Sequence, residues 1–181
     1  MIALVSIAAC GSGSASAPGV TPAAERGPRA LEMTLRRPSG EWIHVGDLRG
    51  RPVLLFVFAT WDGLSQAALR PLSRFARDHD DVAIIAVASQ PDAAMLTDPY
   101  ERALQPPFPV TFDPEQRVHE GTSPLGTIDT VPTFIMLDAY GVEVRRHVGF
   151  PSTRTLPNLR EEALERGGLG TDELPAIGLS P

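Results

Sequence analysis

The chain has 181 residues and a mass of 19.4 kDa, with 43% apolar and 21% charged residues, which suits one domain with a packed core and tails. All 16 basic residues are Arg, set against 22 acidic ones, and the net charge of −6 with a pI near 5.2 excludes general nucleic-acid binding, which needs a basic face against the phosphates. No apolar run reaches the roughly 18 residues of a membrane span, and the single cysteine, Cys10, excludes an intrachain disulfide, a paired-thiol redox centre and a cysteine-based zinc cluster within this sequence.

Residues 1–9 are short and apolar and run directly into Cys10. The tetrad Ile7-Ala8-Ala9-Cys10 resembles a bacterial lipobox, although no Arg or Lys precedes the apolar run. Residues 1–10 are therefore expected to be a lipoprotein signal peptide, with Cys10 the lipidation site and the membrane reached through its lipid. Residues 11–30 are rich in Gly, Ser, Ala, Pro and Thr. They bury too little surface to offset their ordering entropy and read as a flexible tether. Residues 31–166 form the expected domain. Residues 167–181, with Gly167, Gly168, Gly170, Pro175, Gly178 and Pro181, read as a disordered tail.

Within the domain, residues 31–35 and 41–45 alternate in polarity around Pro38-Ser39-Gly40 and predict a hairpin. Residues 52–59 are almost continuously apolar, the pattern of a central strand covered on both faces. Residues 65–77 place Ala68, Leu69, Leu72, Phe75 and Ala76 on one helical stripe, with Arg70, Arg74 and Arg77 outside it. Residues 82–88 predict a second buried strand, 92–104 a helix and 108–112 a short strand. Residues 113–119 predict a short helix, with Asp113 as its cap and Pro114 in its first turn. Residues 133–137 and 142–148 predict a strand pair across 138–141, and 153–166 a closing helix. A buried parallel pair joined by a helix implies an α/β domain with helices on both faces of the sheet.

Several separated stretches then carry a resemblance. Gly46-Asp47-Leu48-Arg49-Gly50-Arg51-Pro52, Phe58-Ala59-Thr60-Trp61, Phe108-Pro109-Val110 with Phe112-Asp113, and Thr130-Val131-Pro132-Thr133-Phe134 followed by Asp138 and Gly141 occur in order along residues 31–166. Together they resemble the thioredoxin-like superfamily, and within it the membrane-tethered TlpA/ResA-type thiol–disulfide oxidoreductases. The resemblance implies a thioredoxin-like fold, a central mixed β-sheet flanked by helices with an N-terminal β-hairpin. It also implies a Cys-x-x-Cys pair directly after Trp61, and here the sequence departs from it. Asp62 and Ser65 stand at the two thiol positions; aligning instead on Pro71 brings Gly63 and Gln66 there. The buried acids that the resemblance implies are missing too, with Phe56 and Ala68 in their places.

Thiol–disulfide exchange needs a thiolate, so the catalytic positions carry no confident catalytic residue. A carboxylate at Asp62 suits a helix N-cap, where free N–H groups and the helix dipole favour it. Ser65 lacks an adjacent base and reads as ordinary helix surface. By resemblance the Val131-Pro132 peptide is cis and the backbone before it pairs with an extended peptide, a recognition mode that needs no thiol. Trp61, Val131 and Pro132 are accordingly the expected substrate-binding residues. The plainer alternative is that Pro132 only preserves the fold and Trp61 only packs. His44, His79, His119 and His147 show no metal-ligand spacing, so no metal or other cofactor is expected. Arg160, Glu161, Glu162, Glu165 and Arg166 read as a solvated helix face, Arg145-Arg146 as a local basic pair, and Met33 and Met136 as core.

Three functions remain open: a redox-inactive, lipid-tethered module of the cell envelope that binds an extended peptide or an envelope protein; an oxidoreductase using partner-supplied or non-standard thiols; and a structural assembly protein. Lipidation at Cys10 would leave the domain facing the periplasm, and Gly11 after the cysteine makes the outer membrane the default destination.

Overall fold

The computed structural model describes residues 29–168; the expected signal peptide with Cys10, and nearly all of the expected tether and tail, lie outside the described residues. Near the start of the described residues Ala30 bridges to Val142, and Leu31 N–H donates to the Gly141 carbonyl at 2.7 Å.

At the centre of the sheet runs β3 (Val53–Phe58), with every residue buried. It pairs in parallel with β4 (Ala83–Ala88) and antiparallel with β6 (Thr133–Leu137). Beyond β4 lies β5 (Val110–Phe112), and beyond that the hairpin of β1 (Thr34–Arg36) and β2 (Trp42–His44), joined to β5 through the pair Arg36–Phe112. The opposite edge is β7 (Glu143–Val148), which gives a seven-stranded mixed sheet of order β2-β1-β5-β4-β3-β6-β7. The hairpin strands are shorter than the alternation predicts: the chain turns into a 3-10 helix at Val45, which ends β2 at His44 and leaves β1 paired only from Thr34. The β5 strand likewise starts late, since Pro107 and Pro109 offer no ladder donor.

Alternation along β3 feeds two separate cores. Leu54, Phe56 and Phe58 point to one side, Val53, Leu55 and Val57 to the other. The first side takes all three long helices, α1 (Gly63–Asp78), α2 (Ala93–Leu104) and α4 (Thr155–Gly167). The steps β3 to β4 and β4 to β5 move the same way across the sheet, so right-handed crossovers place α1 and α2 on one face. The expectation of helices on both faces is thus met unevenly. On the second face the helical cover is the 3-10 turn Val45–Leu48 and the four-residue α3 (Arg117–Glu120), supplemented by Leu125, Ile128 and Val131 of the following segment.

The helix expected over 113–119 is a correction. Asp113 is buried and receives Arg117 Nε and Nη2, both at 3.1 Å, and the Glu115 N–H at 3.2 Å. The Gln116 N–H returns to the Asp113 carbonyl at 2.9 Å, with Gln116 itself at φ 57°. Residues 113–116, Pro114 included, are therefore a turn, and α3 begins only at Arg117. The carboxylate is occupied by the Arg117 guanidinium, whose pKa this hydrogen bond raises. On α4, Arg160 also departs from a solvated role: it is largely buried and donates to Asp81 at 2.7 Å, tying α4 to the loop before β4.

Candidate functional site

Every polar group of Thr60, just after β3, is engaged. Its N–H donates to Gln90 Oε1 at 2.5 Å, its hydroxyl accepts from Gln90 Nε2 at 3.0 Å, and its carbonyl accepts from Gln66 Nε2 at 2.8 Å. Gln90 is buried at the end of β4, and Ser89 N–H donates to the Phe58 carbonyl at 2.8 Å. This clamp sets where the chain leaves the sheet and turns into α1. Sequence reasoning missed Gln90, because a lone glutamine after an apolar strand carries no signal until its partner is placed.

Asp62 stands at the N-cap of α1 in an extended conformation, φ −82° and ψ 120°, and its Oδ2 accepts the Ser65 N–H at 2.7 Å. It satisfies one of the orphan donors of the first turn. Ser65 is not helix surface: it is fully buried, and its Oγ has no hydrogen-bond partner. The signal was available, since Ser65 precedes Ala68, Leu69 and Leu72 by three, four and seven residues and so shares their inward stripe. Neither Asp62 nor Ser65 carries a sulfur nucleophile, and the other register places Gly63 and Gln66 at the same turn, equally without one.

Beneath this turn the interior is apolar. Phe56 and Ala68 are fully buried in one cluster, and the Phe56 ring lies 5.4 Å from Phe58 and 5.1 Å from Phe134 between centroids. A titratable group does enter the cluster from α2. The Tyr100 ring is 4.9 Å from Phe58, its hydroxyl is buried without a partner, and burial pushes its pKa up to about 12. Met33 and Met136 are core residues.

The pairing of β3 with β6 brings the second half of the site alongside. Val57 faces Thr133, the first residue of β6, so the Val131-Pro132 peptide directly precedes the point where β6 joins β3. The Val131-Pro132 peptide is cis. Pro132 is buried and its carbonyl accepts the Gly149 N–H at 2.7 Å, while Thr133 Oγ1 donates to the Thr130 carbonyl at 2.6 Å. Val131 is half-buried against the second core. The Trp61 turn and the Val131-Pro132 loop thus emerge at one end of the sheet from neighbouring strands. Trp61 does not pack inward: it is 71% exposed, and Leu64, Val148 and Phe150, which leave the same end, are 54%, 54% and 50% exposed. Together they form an apolar rim.

No group of three His, Cys, Asp or Glu side chains among the described residues is placed to hold a metal ion. Cys10, the expected lipidation site, lies outside the described residues. Among the described residues no helix is long and apolar enough to cross a membrane.

No family model matches the sequence, and no curated protein matches it. Solved structures do match in shape. The exposed lipoprotein thioredoxin Etrx1 of Streptococcus pneumoniae superposes with a TM-score of 0.60 at 22% identity, over 72% of this chain and 98% of that one. A thioredoxin-family thiol:disulfide interchange protein of Chlorobium tepidum gives 0.64 at 18% identity, over 78% and 99%. A thio-disulfide isomerase of Thermus thermophilus gives 0.62 at 18% identity, over 79% and 97%. At these identities the likeness concerns the fold, and with the strand order and the N-terminal hairpin already described, the fold of this chain is thioredoxin-like.

Proposed function

We propose that this chain is a binding module of the cell envelope that captures an extended peptide segment of a partner protein at the end of the sheet bearing Trp61, Val131 and Pro132, without thiol exchange of its own. The observation that carries the reading is Trp61, 71% exposed beside a helix start that holds Asp62 and Ser65 where exchange needs thiols. An indole left in water next to main-chain groups of an adjacent loop suits capture of a strand, in which backbone hydrogen bonds give affinity and side-chain pockets give selectivity. Tethering follows from the lipobox-like tetrad ending at Cys10. The similarity in shape to a protein described as an exposed lipoprotein supports the same placement.

The deciding experiment has two arms. In the first, disulfide reduction by the wild-type chain is compared with the Asp62→Cys/Ser65→Cys variant. An inert wild type beside an active variant supports a cleft that keeps its shape and lacks only thiols, whereas turnover by the wild type overturns the reading in favour of an oxidoreductase. In the second, binding of fluorescein-labelled extended peptides is followed by anisotropy. Trp61→Ala should weaken it, and unchanged affinity would assign the fold a structural role. For the tether, Cys10→Ser should release the protein from membranes, and continued membrane association would refute lipid attachment there.

A further inference from the structure

A groove of about 830 Å³ opens between the second half of α1 and the segment 150–157 that leads into α4. Arg70, Arg74 and Arg77 line it from α1, with Phe75 beside them, and Phe150 and Pro151 line it from the other side. The three arginines follow each other at helical spacings of four and three, so they form one stripe extending about 10 Å along the axis. Arg70 and Arg77 make no ion pair or hydrogen bond with any described residue. Arg74 has only a long contact, 3.7 Å, to Asp78, the one carboxylate in the lining. The groove wall thus carries positive charge on a chain whose net charge is −6.

One short stretch of chain joins the groove lining to the Val131-Pro132 loop. Phe150 belongs to the rim at the Val131-Pro132 end and to the groove lining. Its neighbour Gly149 is bonded to the Pro132 carbonyl, and its own carbonyl lies 3.3 Å from His147 Nε2. We propose that this groove receives acidic residues of the same peptide segment, so that the partner is an extended segment in which carboxylates alternate with apolar side chains. The inference rests on the peptide-binding reading above. An extended chain advances about 3.3 Å per residue, so a stripe of about 10 Å spans about three residues and presents guanidinium groups to carboxylates on alternate positions. Guanidinium pairs with carboxylate in a planar fork, and its weak hydration suits a groove that is partly apolar.

The test is fluorescence anisotropy on the full chain with a labelled peptide Glu-Val-Glu-Phe-Glu-Val and its counterpart with Gln in place of Glu. Arg70 and Arg77 are exposed, so Arg70→Gln/Arg77→Gln should fold normally, and an unchanged melting curve checks this. The expected result is that the Glu peptide binds more tightly, that the double variant weakens it by roughly fivefold to tenfold, and that the Gln peptide is unaffected. Affinity for the Glu peptide should also fall with added salt. The long-range field of an acidic protein opposes the peptide, so a preference for Glu must come from local charge.

Equal affinity for both peptides, with the double variant silent and Trp61→Ala weakening both, overturns the groove and leaves the cleft standing. A strong effect of the double variant beside a silent Trp61→Ala keeps an acidic-ligand groove but refutes its link to the cleft. Displacement of the Glu peptide by phosphatidylglycerol vesicles, with binding of the vesicles lost in the double variant, overturns the proposal by assigning the arginine stripe to a lipid surface. Binding of neither peptide overturns both readings.

Discussion

The interior beneath the start of α1 and the rim around it obey opposite rules. Inside, Phe56, Phe58, Phe134 and Ala68 are fully buried and the rings stack. A position where a proton-handling acid was to be looked for carries a phenyl ring. On the rim, Trp61, Leu64, Val148 and Phe150 stand in water, and a carboxylate caps the helix. The interior is arranged for packing, while on the rim apolar side chains remain in water. The difference is what the proposed reading rests on: exposed apolar side chains beside a helix start without a thiol suit the holding of a chain.

The contrast is open to direct attack, and the sharpest blow falls on the interior. Phe56→Asp should cost about 3–5 kcal/mol, because it opens a cavity and buries an unpaired carboxyl group. Urea denaturation measures this, and a loss under about 1 kcal/mol would mean that the space beneath α1 is wet and able to host an acid. Next comes the cap: Asp62→Ala should lose about 1 kcal/mol and Asp62→Asn much less, since the side chain acts as an acceptor for the Ser65 N–H at 2.7 Å. Equal losses for both variants would point to charge and not to capping.

Smaller effects of the opposite sign are expected where buried hydroxyls have no partner. Ser65→Ala and Tyr100→Phe should each leave stability unchanged or raise it by up to about 1 kcal/mol. Tyr100 adds a pH signature. Its native pKa is about 12 against an ordinary 10, so above pH 10 the unfolded chain releases a proton that the folded chain retains. Stability should therefore fall as pH rises from 10 towards 12, and Tyr100→Phe should flatten that part of the curve. A variant with the same alkaline slope would show that another group carries it. Smallest for stability is Trp61→Ala, within about 0.5 kcal/mol, because the ring is in water. Its peptide affinity should nonetheless drop, and a large loss of stability instead would show that the indole serves the fold.

Much of this was legible in residue order. The unbroken apolar run before Trp61 announced a central strand, and the stripe Ala68, Leu69, Leu72, Phe75 announced the buried face of α1 with its arginines outside. Both signals are periodic, and burial follows periodicity directly. Ser65 sits on that stripe and is buried, although a small polar residue near a helix start suggests a surface. Asp113 looked like a cap, and only its proximity to Arg117 turned it into the anchor of a turn.

By itself the sequence determined the element order, the two-sided burial of the central strand, the lack of paired thiols and the carboxylate at the start of α1. These follow from residue chemistry and local period, and need no partner to be known. Tertiary structure decided that the long helices crowd one face, that Gln90 clamps Thr60 and that the Val131-Pro132 loop stands beside the Trp61 turn. It also decided that Arg70, Arg74 and Arg77, all exposed, line one wall of a groove. Each of these depends on which strand lies next to which, and strand order is a property of the whole chain that no local window contains.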